Sequence, residues 1–222
     1  MPFANRVDAG RRLAALLSHH RAPSTLVLGL PRGGVPVAYE VATALGAELD
    51  IWSVRKIGAP FQPELGIGAV AEGGAVFLND EMIVELGIDA EAIEGLVAKK
   101  SAEVAERALR FRDGRGPPRV VGRTCIVVDD GIATGGTARA TVDALRAAGA
   151  GRVVLAVPVA ASQSLAELRP RVDEVVCVKS TPALLAIGAW YDDFTQVDDG
   201  EVLALLRRAR EERRPEAAQG PP

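Results

Sequence analysis

The run Cys125-Ile-Val-Val-Asp-Asp-Gly-Ile-Ala-Thr-Gly-Gly-Thr-Ala-Arg-Ala-Thr-Val-Asp-Ala-Leu145 constrains this chain more than any other segment. An apolar stretch fit for a buried strand ends on two carboxylates, Asp129 and Asp130. A loop of small residues follows, Gly131 to Thr137, and it feeds directly into a helical pattern. A strand, a glycine-rich turn and a helix in that order belong to an open α/β sheet, where ligands bind beyond the carboxyl ends of the strands. Glycines let backbone N–H groups crowd around an anion, and a helix N-terminus adds a favourable dipole. Thr134 and Thr137 supply hydroxyl donors. Two carboxylates beside an anion site need something between them and the anion, and vicinal sugar hydroxyls with a magnesium ion nearby meet that need. The plain alternative is a strand–turn–helix whose aspartates only cap the helix. No GKS or GKT follows the glycines, so the loop is not a nucleotide P-loop, and no GxGxxG fingerprint is present.

The rest of the chain repeats the same alternation. Apolar runs suited to strands lie at Thr25–Leu30, Leu49–Val54, Thr124–Val128, Val153–Val159 and Glu174–Val178. Helical patterns cover Asn5–Arg21, the stretch up to Leu45, Asp89–Arg112, Thr134–Gly149, Ser162–Leu168 and Glu201–Arg213. Residues 57 to 80 are rich in glycine and proline, and Ile67–Ala71 and Ala75–Leu78 read as a hairpin joined by Glu72-Gly73-Gly74. These patterns predict an α/β fold with a mainly parallel central sheet flanked by helices. The 222 residues provide one good core without metal or disulfide staples, since folding at this size buries about 70% of the unfolded chain's surface. The formal charge is -3 and only 4% of residues are aromatic, which argues against nucleic acid as the main partner. Cys125 and Cys177 each sit within an apolar run and read as buried small hydrophobes, and His19 and His20 read as solvated. No signal core and no 18-residue apolar run is present, which points to a cytoplasmic protein without a membrane partner.

The run VVDDGIATGGTA resembles the phosphoribosyl-diphosphate signature of the type I phosphoribosyltransferases, and the order of the other elements agrees over nearly the whole chain. The resemblance implies one domain over 1–213, with a small hood mainly within 179–200 plus the first helix, while the composition of the tail at 214–222 reads as disordered. It implies that Asp129 and Asp130 contact the ribose 2- and 3-hydroxyls, and that Ala133, Thr134, Gly135, Gly136 and Thr137 hold the 5-phosphate. The turn Leu30-Pro31-Arg32-Gly33-Gly34 looks like the family's pyrophosphate loop. Arg32 brings charged donors there, and Gly33 and Gly34 allow backbone N–H groups to approach an oxyanion. Basic residues at the end of the second strand, here Arg55 and Lys56, often contact the diphosphate. Residues 57–80, with Glu64 and Glu72, occupy the position of the mobile catalytic loop, and a rigid hairpin is the competing reading. In the segment LLAIGAWYDDFTQVDD, Trp190 or Tyr191 would lie over a base and Asp192 would reach magnesium, or the aromatic pair would only pack the hood onto the sheet.

One departure bears on the acceptor. Members specific for hypoxanthine and guanine carry a lysine after the strand corresponding to VVLAVPV, and this chain continues Ala160-Ala161-Ser162. The expected activity is therefore transfer of the 5-phosphoribosyl group of phosphoribosyl diphosphate to an unspecified nitrogenous base or related nitrogen nucleophile, with magnesium as cofactor and release of pyrophosphate, a reaction of nucleotide metabolism. A homodimer is compatible with the resemblance. Two rivals stand beside it: a regulatory or non-catalytic binder of the same sugar phosphate, and another α/β sugar-phosphate enzyme sharing the loop.

Overall fold

A computed structural model describes residues 2–213 apart from Ala183, together with all side chains in that range except that of Glu64. The tail expected to be disordered, 214–222, lies outside the described residues. Five parallel strands form the central sheet in the order β2-β1-β6-β7-β8. They are β1 (Thr25–Gly29), β2 (Glu48–Ile51), β6 (Thr124–Val128), β7 (Arg152–Ala161) and β8 (Glu174–Thr181). Their near-continuous apolar sequences follow from burial on both faces. Val27, Ile126 and Val154 point to the side covered by α1 (Arg6–Leu16), α2 (Gly34–Leu45) and α7 (Asp199–Arg213). Leu26, Cys125 and Val153, one residue away on each strand, point to the side covered by α5 (Gly136–Ala147) and α6 (Ser162–Leu168). This is the doubly covered parallel sheet that the sequence patterns predict.

A second, antiparallel sheet stands beside the first, with order β3-β4-β5 from β3 (Val54–Ala59), β4 (Gln62–Ala71) and β5 (Val76–Leu78). The expected hairpin is present, and Gly73 and Gly74 turn it with φ of 85° and 83°. Its inner face buries Ile57, Ile67 and Val70 against Ile93 and Val104 of α4 (Ala90–Phe111). α3 (Asp80–Glu85), capped by the Asn79 side chain, links β5 to α4 and was not expected from the sequence. The single strand expected over Leu49–Val54 is two strands. Trp52 makes a last bond to β1 through Gly29 O at 3.2 Å, and Ser53 O already accepts from Glu72 N at 2.9 Å, so the chain changes sheets there.

Arg112, just past the end of α4, locks the two sheets together. It is 1% exposed and donates to Asp50 Oδ1 on β2 (2.7 Å), to Ile51 O (2.7 Å) and to both carboxylate oxygens of Glu72 in the hairpin turn. The histidines also depart from expectation. His19 and His20 are not simply solvated, since each bonds an oxygen of Glu174 at 3.0 Å. Cys125 is buried and Cys177 half-buried, both free. No described helix is long and apolar enough to cross a membrane.

Candidate functional site

The strand order reverses between β1 and β6: the chain goes from β1 to β2 on one side and returns to β6 on the other. The loops leaving these two strands face each other across that crevice, where an open α/β sheet binds its ligands. Leu30 N bonds Val128 O at 2.9 Å, bringing Pro31-Arg32-Gly33-Gly34 onto Asp129-Asp130. The Pro31–Arg32 peptide is cis. A Cβ on Gly33 would stand 2.0 Å from Asp130 Oδ2, and one on Gly34 would stand 2.6 Å from Val128 O. The two loops therefore interlock only because those positions carry no side chain.

Both carboxylates are enclosed. Burial, reinforced by the neighbouring charge of Asp130, pushes the Asp129 carboxyl well above the usual carboxylate range. Its Oδ1 accepts from Asp130 N at 2.9 Å. Burial also raises Asp130, against the pull of Arg6, whose Nε and Nη2 lie 2.9 and 2.8 Å from Asp130 Oδ2. Arg6 is itself held by Thr195 O at 2.8 Å and stacks 3.9 Å over the Phe194 ring. Tyr191 supports the same loop from beneath, its hydroxyl donating to Asp130 O at 2.6 Å.

Beyond the acidic pair the loop runs through Ala133 to Gly135, which caps α5 with φ of 75° and offers no side chain to the helix amides. The first amides of a helix have no carbonyl one turn back. Thr134, Gly136 and Thr137 line a cavity of about 400 Å³, with Lys56, Asn79 and Phe77 facing them from the small sheet. A neighbouring cavity shares Thr134 and Gly136 and adds Arg139. The Arg139 Nε is buried without a hydrogen-bond partner, and its guanidinium lies 4.3 Å over the Phe77 ring.

Arg55 precedes Lys56 on β3, where consecutive side chains point to opposite faces. Lys56 belongs to the cavity at the loop, while Arg55 joins Arg107 of α4. Arg32 and Arg110 complete a group of guanidinium ions around Arg107. Burial first, and then the charges of Arg55, Arg32 and Arg110, lower Arg107 to about 10, with Asp199 as the opposing anion. Asp199 lies 3.8 Å from Arg32 and also bonds Arg110. The Nε atoms of Arg55 and Arg107 are buried without partners. Arg32 and Arg110 share the Asp199 carboxylate and Glu103 lies near Arg55, yet two buried guanidinium nitrogens stay unpaired, which suits the group to a further anion, because a buried donor left unpaired costs about 1–3 kcal/mol.

Residues 3–185 match the family model of the phosphoribosyl transferase domain. The chain belongs to the phosphoribosyl transferase family. Two proteins of Mycobacterium tuberculosis, described provisionally as phosphoribosyl transferases, are 50% identical over 208 residues, 93% of this chain and 47% of theirs. The chain thus spans about half the length of these curated relatives. A crystal structure of a Thermus thermophilus protein superposes with a TM-score of 0.81 at 41% identity, covering 94% of this chain and 99% of the other. A protein of Neisseria gonorrhoeae shares the fold at TM-score 0.51 and 11% identity, covering 95% of this chain and 99% of the other.

Within this phosphoribosyl transferase domain the expected residues divide into three sets. Asp129, Asp130, Arg32, Gly33, Gly34 and the loop from Ala133 to Thr137 converge at the switch point, and Arg55 and Lys56 flank it on different faces of β3. Tyr191 fits the packing alternative: it is 6% exposed in a core with Phe3, Ala9 and Val159, and its hydroxyl donates to Asp130 O. Trp190 is half-buried against the same cluster. Asp192 is exposed, its backbone N–H bonded to Phe3 O, and it joins no group of three ligating side chains with Asp129 and Asp130. Glu72 serves the Arg112 lock rather than a reaction. Arg6, Arg107, Arg110 and Arg139 were not singled out from the sequence. Their one signal was the i, i+3 spacing of Arg107 and Arg110 on a helix, which an exposed surface shows equally often.

Proposed function

We propose that this phosphoribosyl transferase domain moves the 5-phosphoribosyl group of phosphoribosyl diphosphate to a nitrogen nucleophile and releases pyrophosphate. The carrying observation is the juxtaposition, at one switch point, of the Gly135–Thr137 helix start, the Asp129–Asp130 pair and the guanidinium group of Arg32, Arg55 and Arg107. These match in order the three parts of the donor: 5-phosphate, ribose hydroxyls and diphosphate. Lys56 and Arg139 flank the phosphate end.

In the reaction the bond from C1 to the diphosphate oxygen breaks, its electron pair leaving with pyrophosphate. The nitrogen lone pair forms the new C1–N bond, and the nitrogen then gives up its proton. Charge that grows on the leaving group falls where the arginines already await an anion, and such preorganised donors stabilise a transition state without reorganising. The sugar develops positive charge next to the Asp129–Asp130 pair, so ionised carboxylates favour it. Arg6 now occupies Asp130, and ribose hydroxyls must compete with it for that carboxylate. Magnesium enters this reading bound to the diphosphate, since it keeps water and substrate oxygens as ligands and the described side chains gather no cage for it here.

The acceptor is left as a nitrogen nucleophile because no lysine follows β7 and Tyr191 is buried. The Arg6–Asp130 ion pair also favours a second reading, a binder of phosphoribosyl diphosphate that does not turn over. One assay separates them: pyrophosphate release measured with magnesium, phosphoribosyl diphosphate and a panel of purine, pyrimidine and simple amine acceptors. Acceptor-dependent release that falls at least about 100-fold in Asp130→Asn supports the transferase. Donor binding without release for any acceptor supports the binder.

A further inference from the structure

His19 and His20 stand at the amino-terminal edge of the central sheet, the edge opposite the phosphoribosyl site. They occupy a 3-10 turn, Ser18–His20, that leads toward β1, and Glu174 opens the edge strand β8. His19 Nε2 lies 3.0 Å from Glu174 Oε1, and His20 Nε2 lies 3.0 Å from Oε2. One donor atom from each of the three residues falls within 4.8 Å of the other two. Successive residues rarely aim long side chains at one point, yet both imidazoles here converge on a single carboxylate.

We propose that His19, His20 and Glu174 bind one transition-metal ion of the zinc class. Two imidazole nitrogens and a carboxylate oxygen suit zinc, cobalt or nickel better than magnesium or calcium, which take oxygen ligands. With ligand bonds of about 2.0–2.1 Å, a tetrahedral ion separates its donors by about 3.3 Å, so the present spacings require only small side-chain rotations. The His19 side chain is 56% exposed, which leaves the fourth ligand position to water. An ion here fastens the turn before β1 to the outermost strand.

Two charged neighbours face the cluster. Asp173 is engaged elsewhere, with Arg146 and Val153 N each at 2.7 Å. Arg152, at the start of β7, donates to Glu174 Oε2 at 3.1 Å and opposes a cation. Its side chain is 48% exposed and has solvent to swing into. The site is therefore tighter without this guanidinium, an effect opposite to what a purely structural ion pair would show.

The test uses the untagged full chain, titrated with Zn²⁺ by calorimetry and with Co²⁺ by visible absorption. The proposal expects one equivalent bound, tetrahedral Co²⁺ bands, and a rise in melting temperature with Zn²⁺. His19→Ala, an exposed change that spares the fold, and Glu174→Gln should each weaken Zn²⁺ binding more than about tenfold, and Arg152→Gln should tighten it several-fold. Wild-type binding no tighter than that of the His19→Ala/His20→Ala double variant, or an Arg152→Gln protein that binds no better than wild type, overturns it.

Discussion

Asp129 carries a charge problem that the fold tolerates for the sake of the site. Its carboxyl is buried beside Asp130 and its pKa is raised, so the folded chain holds the proton more tightly than the unfolded chain. The sign follows: stability from this group is complete below the unfolded value of about 4 and is lost as pH rises through the folded value. Asp129→Asn should therefore melt higher than wild type at neutral pH, with the advantage shrinking as pH falls toward 4, while pyrophosphate release declines. Thermal unfolding across that pH range checks it, and identical pH profiles would contradict it. Arg107 poses the same kind of problem with the opposite sign of charge. Arg107→Gln removes a guanidinium crowded by three others, so the melting temperature should hold or rise while affinity for phosphoribosyl diphosphate drops about tenfold or more, the loss expected of one charge-assisted hydrogen bond. A fall in melting temperature with unchanged donor affinity would make Arg107 a structural residue. At this scale the sequence disclosed which residue types meet at the loop, because glycines and paired aspartates in one short run have few other uses. It could not disclose Arg6 or Arg107, which reach the site from 124 and 22 residues before Asp130 and Asp129 through tertiary packing alone.

Among the elements, the legible ones were those whose signal is local. β6 and α6 begin and end where apolar runs and helix patterns say they should, and α4 follows its Asp89 cap and amphipathic repeat. The break at Trp52-Ser53 was not legible, since Leu49 to Val54 is apolar and β-prone throughout and only pairing decides which sheet each half joins. The same holds for Arg112, which in sequence is merely the last basic residue of a charged helix. Its guanidinium holds α4, β2 and the β4–β5 turn in one arrangement, and that arrangement delivers Arg55 and Lys56 to the site. Truncating one partner of a buried pair leaves the others unsatisfied, so Arg112→Ala should lose about 3–5 kcal/mol of stability. Chemical denaturation measures this. A loss below about 1 kcal/mol would mean the network is replaceable by water. Segment 57–80 contributes to a three-stranded sheet, β3 to β5, with its own apolar core, and the 400 Å³ cavity lies between that sheet and the start of α5.

For the molecule as a whole, the candidate site follows from strand order. Placing β1 beside β6 sets the Pro31–Gly34 turn against the Asp129–Asp130 pair, and the second sheet brings cations over both ends of the crevice. The alternation of strands and helices foretold a parallel sheet, but the position of its switch point came from the resemblance to a family and from the folded chain. A larger cavity, about 560 Å³ between α7 and β2, has four arginines too, yet three are matched by carboxylates, Arg207 and Arg210 by Asp113 and Arg213 by Glu48, and Arg115 donates to Arg112 O. Buried guanidinium nitrogens without partners near the switch point, those of Arg55, Arg107 and Arg139, rather than cavity size, mark the candidate site. The most direct measurement is calorimetric titration of phosphoribosyl diphosphate into the full chain with and without magnesium, with the Asp129→Asn/Asp130→Asn and Arg107→Gln variants alongside. The account predicts magnesium-dependent binding in the wild type that is abolished in the first variant and weakened in the second. A folded wild-type chain that takes up no phosphoribosyl diphosphate, or one whose affinity is untouched by both variants, would contradict it.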